Sequence, residues 1–398
     1  MGQYLHPQKI FMIIGLIEIM PLGHYTLVDS ITRIYLSNTS NTVILYLNEK
    51  GSENVSALQK DFGERLMVKT KKAHEDVRAF LQQIANEKLD AAYIVTLERY
   101  FTEFNKTKFT YPLYFVVHNV ESWFSLSIAN SINNFFEGIS KGRNIAYLLK
   151  SNFIYPLQKK KFIKKLLANN GTFVLLNDFL RDEVLKKDIS RNVISIPFSV
   201  YYPKLDELQT IKSKIRITIP GIVDNNRRDY ASVFRIFEEE KELFKHFYEL
   251  ELLGPLKKTE NNAKLIQKIA QLNQQGLTVI SYPEKYIPLE EYDHKLAQAD
   301  LILGNLNVAV NKFSTYGKTK ESGTAFAMIR VAKPGLLPSA YQVMDEVKSS
   351  TVSFKSYDHL KEILIGFTKD KEGLNHLNEE AKKNAVKFAP ENFYKGIY

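Results

Sequence analysis

Ile215–Gly221 reads IRITIPG, a strand-like apolar run closed by a Pro-Gly breaker. The stretch before it, Tyr201–Ser213 (YYPKLDELQTIKS), is polar and contains Pro203, so it reads as a linker. Beyond Gly221, helices and strands alternate. A helix is expected over Tyr230–Lys245, and a strand over Glu249–Leu253 closed by Gly254-Pro255. Then come a helix over Asn262–Asn273, a strand over Leu277–Ser281, a helix over Leu289–Gln298 and a strand over Leu301–Leu303. A helix over Gly323–Val331, a short strand over Gly335–Leu337 and two helices from Tyr357 onward complete this half.

The same alternation has already run once before the linker. Lys9–Ile14 (KIFMII), Thr42–Leu47 (TVILYL), Leu66–Lys69, Tyr93–Leu97, Tyr114–His118, Thr172–Leu176 and Val193–Pro197 read as strands. Thr26–Leu36, His74–Glu87 and Asp178–Lys187 read as helices; Leu27, Ile31 and Ile34 fall at helical spacing in the first. The strand runs are continuously apolar instead of alternating, as in parallel sheets covered on both faces. The expected fold class is therefore α/β, with two doubly wound Rossmann-like domains facing across a cleft. A chain of 398 residues is long enough for two cores.

Composition narrows the function. The chain is 44% hydrophobic and 25% charged, which excludes a disordered chain, a collagen-like fibre or a coiled-coil rod. It has no cysteine, so disulfides, zinc–thiolate and iron–sulfur sites and a cysteine nucleophile are excluded. A net charge of +10 points to an anionic partner: nucleic acid, a phosphorylated substrate or acidic lipid. Ile10–Leu22 is the longest apolar run, interrupted by Glu18 and Pro21, and reads as a buried strand and loop, not a signal peptide or membrane span. Met1-Gly2 lacks a myristoylation context, because His6 stands where Ser or Thr is needed.

Open α/β sheets bind ligands at the loops that follow their strands. No G-x-G, P-loop, G-x-S-x-G or Asp-x-Asp occurs. The most informative loop is Tyr316–Pro338 (YGKTKESGTAFAMIRVAKPGLLP), where Lys318 and Lys320 run into Ser322-Gly323-Thr324 and an apolar helix. Ser322 or Thr324 is placed to cap that helix, Gly323 allows close backbone approach, and the lysines add positive charge. This reads as a phosphate cradle; the plainer reading is a capped helix with solvated lysines.

This order of loop, SGT, helix, x-K-P and strand resembles the donor site of GT-B glycosyltransferases of bacterial surface-polysaccharide type. Val116–Glu121 (VVHNVE) is similar to the His-Asn loop of the acceptor domain, which implies an acceptor-cleft role for His118 and Asn119. Ile219–Tyr230 (IPGIVDNNRRDY) resembles the loop whose basic residue faces the donor phosphates; Arg227 and Arg228 stand there, and Arg228 is the candidate. Leu250–Pro255 resembles the strand ending in Gly. Tyr286–Leu303 resembles the base-binding loop, helix and strand, which makes Tyr286 and Ile287 the nucleotide-base loop. Glu321 is implied at the donor ribose or sugar. Many retaining members carry Glu-x7-Glu here, but Ala325–Ala327 stand where the second Glu would be, so the stereochemical outcome stays open. Inverting members present a histidine in the loop after the first strand. His24, after Gly23, fills that place as the candidate catalytic base; an acceptor contact or a structural hydrogen bond are the other readings.

The resemblance implies a domain layout of 1–202 for the acceptor, 203–213 as linker, 214–375 for the donor, and 376–398 as a C-terminal helix crossing back to the first domain. The implied activity is hexosyltransferase-type transfer from a nucleotide-diphosphate sugar to a glycan or lipid-linked acceptor in cell-surface polysaccharide synthesis. Neither metal nor other cofactor is expected, and no nucleic acid. A nucleotide-sugar 2-epimerase of the same architecture and a non-catalytic nucleic-acid-binding protein are the alternatives. Pro156–Ala168 (PLQKKKFIKKLLA) carries five lysines and no acid. Its Lys159–Lys165 segment reads either as a contact with an anionic membrane surface or as a core helix with a solvated face. The implied location is cytoplasmic, peripheral on the inner face of the cytoplasmic membrane under the first of these readings.

Overall fold

A computed structural model describes all residues except 1–10, 22, 125–127, 141, 143, 209–212, 226, 257–259, 284, 285, 312, 313 and 398. Met1-Gly2, His6 and the start of the Lys9–Ile14 strand lie outside the described residues. The chain forms two compact units, Met1–Pro197 with Phe393–Tyr398, and Phe198–Asn392. The division falls at Pro197–Phe198, ahead of the 203–213 segment. Pro203–Leu208 of that segment forms a 3₁₀ turn in the second unit, and 209–212 lie outside the described residues. Of the 376–398 segment, the helix Lys371–Val386 stays in the second unit, and the chain rejoins the first at Phe393 within the helix Pro390–Ile397.

The first unit holds a seven-stranded parallel sheet: β1 Ile13–Glu18, β2 Thr42–Asn48, β3 Leu66–Lys71, β4 Ala91–Ile94, β5 Leu113–Val116, β6 Thr172–Leu175 and β7 Val193–Ser195. Its order is β3-β2-β1-β4-β5-β6-β7. The first strand begins later than KIFMII suggests because Ile13 pairs with Thr42, and the buried run extends through Glu18. The central strands bury both faces, as in β2, where five successive residues Val43–Leu47 are buried. That is the physical reason their sequences are continuously apolar. Between β5 and β6 lie the helices Ile128–Ser140 and Ile145–Leu149, for which no expectation was drawn from the sequence, and Tyr155–Ala168, which matches the helix expected over Pro156–Ala168.

The second unit holds β8 Ile215–Pro220, β9 Tyr248–Leu256, β10 Thr278–Pro283, β11 Leu301–Leu303, a hairpin of β12 Ala309–Asn311 and β13 Ser314–Thr315, then β14 Gly335–Pro338 and β15 Thr351–Phe354. Its parallel sheet runs β10-β9-β8-β11-β14-β15. The expected helix over Tyr230–Lys245 is two helices, Tyr230–Glu239 and Lys241–Phe247, and Tyr357 onward forms three helices instead of two. β9 does not end before Gly254-Pro255 but runs through them. The ladder to β10 jumps from Leu252–Ser281 to Pro255–Tyr282, so the proline falls at a bulge where its missing N–H costs no regular bond. Gly254 has a different reason: a Cβ there would lie 2.1 Å from the Gly221 carbonyl oxygen, so only glycine lets the loop after β8 cross.

Candidate functional site

Strand order reverses direction once in each sheet, between β1 and β4 in the first and between β8 and β11 in the second. The loops leaving the carboxyl ends of such a pair diverge and leave a crevice. Candidate residues follow strands at both points, whereas Tyr286 and Ile287 follow β10 at the edge of its sheet.

In the first unit, β1 ends in Glu18, a fully buried acid. One carboxylate oxygen accepts from the Met20 N–H at 3.2 Å, and the other accepts from the His24 N–H at 3.3 Å and from the Thr96 hydroxyl. Thr96 follows β4, across the switch point. Its Oγ1 also lies 2.9 Å from His24 Nδ1. The imidazole of His24 stacks on that of His118, centroids 4.0 Å apart and planes 21° from parallel. His118 Nε2 lies 2.9 Å from the Val95 carbonyl oxygen, which can only accept, so this nitrogen carries a proton. Three strand-end loops thus converge on one pair of rings. Asn119 has another use: its amide oxygen accepts from Ser122 N at 3.2 Å, at the start of the next helix.

The proton positions in this chain follow from donor counting. With Glu18 ionised, the single Thr96 proton points to the carboxylate. His24 Nδ1 must then donate to Thr96, which leaves Nε2 as the basic nitrogen. With Glu18 protonated, the carboxylic acid can donate to Thr96 and the chain can reverse. Burial pushes the Glu18 carboxyl up to about 7, against hydrogen bonds from Thr96, His24 and Met20 that favour the charged form. Glu18 and Thr96 were not singled out in the sequence; the available signal was an acid at the end of a buried apolar strand.

In the second unit, the loop after β8 is zipped to the loop after β11. Arg228 and Leu306 form an isolated bridge, Asp229 N donates to Asn305 O at 2.9 Å, and Asn307 N donates to Arg227 O at 3.0 Å. The pairing turns the Arg228 guanidinium inward. It is 6% exposed and donates to the Pro220 carbonyl oxygen, with Asn305 Oδ1 at 3.4 Å. Among the described residues no carboxylate pairs with it. Arg227 turns outward to Asp224 at 3.6 Å. Asn305 is fully buried, yet among the described residues its Nδ2 has no partner, and neither has the buried Thr324 Oγ1. Gly304 lets the loop after β11 pass close to β14 and to the start of helix Thr324–Arg330, since a Cβ there would lie 2.4 Å from Leu337 Cδ2 and 3.2 Å from Thr324 Cγ2.

The SGT loop is built differently from the expectation. The N-cap of helix Thr324–Arg330 is Gly323, at φ 75°, and no side chain caps the helix. Ser322 Oγ instead accepts from Thr324 N at 3.2 Å. The space in front of Gly323 is open: a Cβ there would meet nothing within 4 Å. Glu321 accepts from Ser322 N at 2.8 Å and from the Tyr341 hydroxyl. Burial and that carboxylate push the Tyr341 phenol well up. Lys318 is exposed at the tip of a turn, while Lys320 Nζ sits 5.4 Å over the Tyr316 ring. After β10, Tyr286 is exposed and Ile287 buried. Asn305 is the residue here that sequence reading missed; a Gly-Asn pair directly after LIL was its only mark.

The lysine-rich helix is Tyr155–Ala168. Lys159 turns inward to the Ser122 carbonyl at 3.1 Å and the Trp123 ring at 4.8 Å. Lys165 binds the carbonyls of Phe104, Asn105 and Thr107, where another helix ends. The free basic face is thereby reduced to Lys160, Lys161 and Lys164, all exposed. Among the described residues no helix is long and apolar enough to cross a membrane, and no three or more His, Cys, Asp or Glu side chains gather as a metal site.

No protein-family model and no curated protein matches the chain. Solved structures match over nearly its whole length. Anabaena HepE, in complex with UDP and glucose, is 11% identical over 97% of this chain and 98% of its own, with a TM-score of 0.62. An α-glucosyltransferase (AGT) in complex with UDP is 11% identical over 97% and 98%, with a TM-score of 0.56. Sucrose-phosphate synthase from Thermosynechococcus elongatus is 10% identical over 97% and 98%, with a TM-score of 0.54. At such identities the likeness is one of fold. The chain has the two-domain GT-B α/β fold, two parallel sheets of seven and six strands with interleaved helices.

Proposed function

We propose that the protein is a glycosyltransferase that takes a hexose from a nucleoside-diphosphate sugar. The observation that carries this reading is Arg228, a buried guanidinium that among the described residues has no carboxylate partner, beside Asn305 Nδ2 and Thr324 Oγ1, which among the described residues are likewise unpartnered. A buried cation is costly without an anion, and orphaned donors are costly too. A diphosphate at the carboxyl ends of β8 and β11 answers both. The GT-B fold shared with structures that contain UDP supports the choice of ligand.

In this reading the C1–O bond to the diphosphate breaks with its electron pair going to the leaving phosphate. Arg228, with Lys320 and the loop Ser322–Thr324, stabilises the charge that develops there. His24 Nε2 takes the proton of the acceptor hydroxyl as the new C1–O bond forms, with Nδ1 held by Thr96. Glu321 and the Tyr286–Ile287 loop belong to the donor side, and His118 belongs to the acceptor side. A glycan or lipid-linked saccharide of a cell-surface polysaccharide is the acceptor in this reading, and the reaction needs no metal.

Thermal shift with UDP, GDP, CDP and their sugars tests the proposal. A ligand at 100 times its Kd stabilises by about 2.7 kcal/mol. Stabilisation by a nucleoside diphosphate in the native protein, lost in Arg228→Met, is expected. No stabilisation by any of them, or equal stabilisation of the variant, overturns it.

A further inference from the structure

We infer that the first unit docks on the surface of an anionic lipid bilayer through the helical segment between Ile128 and Ala168. Fourteen large apolar side chains are exposed among the described residues, and eight of them lie between Ile132 and Leu157. Scattered exposed apolars are ordinary, but this concentration is not. On the helix Ile128–Ser140, Ile132, Phe136 and Ile139 recur at positions i, i+4 and i+7 and form one stripe, with Phe136 63% exposed. Just before and along the helix Tyr155–Ala168, Ile154, Leu157, Lys161 and Lys164 share one face, with Leu157 67% exposed.

The segment is packed, so its exposed residues are not the mark of an open core. Leu148 is buried against Gly138, where a Cβ would lie 2.3 Å from it, and the Phe135 and Phe153 rings meet edge to face at 5.6 Å. Apolar side chains beside Lys160, Lys161 and Lys164 match an interface whose acyl boundary takes the first and whose headgroups take the second. Charge selects this partner. Residues 128–168 contain eight basic residues and one acid, so the same face of a second copy would bring like charges together. Six of the eight exposed apolar side chains are aliphatic, and only Phe136 and Tyr147 are aromatic, so the face is a poor stacking platform for nucleic acid bases.

Flotation of the full-length protein with phosphatidylcholine vesicles, and with equal phosphatidylcholine and phosphatidylglycerol, tests this. Partitioning to the anionic vesicles roughly tenfold or more above the neutral ones is expected, and it should weaken with salt. Replacing Lys160, Lys161 and Lys164 together by Gln lowers it roughly 10²-fold. Phe136→Ser with Leu157→Ser lowers it by about tenfold or more. All five positions are exposed, so the thermal midpoint of each variant should match the native one. Absence of anionic preference, or insensitivity to both sets of substitutions, overturns the inference. So does sedimentation as a dimer that only Phe136→Ser with Leu157→Ser dissociates, without vesicle binding by the native chain. Tighter binding to duplex DNA than to anionic vesicles through the same lysines overturns it as well.

Discussion

His24 Nδ1 lies 2.9 Å from Thr96 Oγ1, and the same hydroxyl donates to the buried Glu18 carboxylate. One hydroxyl therefore sets which nitrogen of His24 is basic. His24→Ala should lower turnover by about 10²–10⁴-fold and leave nucleotide affinity unchanged. Thr96→Val keeps the shape but releases the ring, and should lower turnover less than His24→Ala does. Steady-state kinetics beside nucleotide titration checks both; a His24→Ala enzyme at full speed removes the residue from the mechanism.

Activity should fall on the acid side as Glu18 takes a proton near pH 7, because the chain through Thr96 then reverses. Glu18→Gln keeps an acceptor for Thr96 but does not titrate there. Its pH–rate profile should lose the limb near pH 7 that Glu18 sets. An unchanged profile in the variant would separate Glu18 from the site.

The same carboxyl makes a stability prediction with a definite sign. Its folded value is raised from 4.5 to about 7, so the folded state holds the proton more tightly than the unfolded chain. The stabilisation is full at acid pH and is lost as pH rises through that window. Across it, Glu18→Gln should lose roughly 3 kcal/mol less stability than the native protein. Urea unfolding at pH 5 and pH 8 measures the difference.

Gly323 has two reasons to be glycine, its φ of 75° and the open space before it. A valine there would strain the backbone as well as occupy the space. Asn tolerates the left-handed region, so Gly323→Asn separates the two effects. The Asn variant should keep its thermal midpoint within a few degrees and lose nucleoside-diphosphate affinity by calorimetry. Unchanged affinity in a folded Asn variant would place the phosphates elsewhere.

Arg330 and Asp293 form a two-pronged buried pair, at 2.7 and 2.6 Å, joining the helices Thr324–Arg330 and Leu289–Ala297. Arg330→Met removes both of these hydrogen bonds from the buried Asp293 carboxylate, which should cost about 3–5 kcal/mol in chemical denaturation. Combining it with Asp293→Leu should recover much of that loss, since both members of the buried ion pair are then apolar.

The sequence by itself determined the two parallel sheets. Strands buried on both faces must be continuously apolar, and that property is local enough to read from TVILYL or LILG. It also singled out the strand-end loops as candidates, because ligands of open α/β sheets gather at strand ends. It could not say that Glu18, Thr96 and His24 are partners, since Thr96 is 78 residues from Glu18 and 72 from His24. Only the order β2-β1-β4-β5 brings the loops after β1, β4 and β5 together. Nor could it divide Arg227 from Arg228 by role, because the loop pairing with Asn305–Asn307 sends one outward and buries the other. The lysines of Tyr155–Ala168 look alike in sequence; the carbonyls at a neighbouring helix end and the ring of Trp123 draw in Lys165 and Lys159 and leave the others to solvent. Strand character follows from the burial of each residue in turn, whereas a side chain's partner depends on which distant loop the sheet order sets beside it.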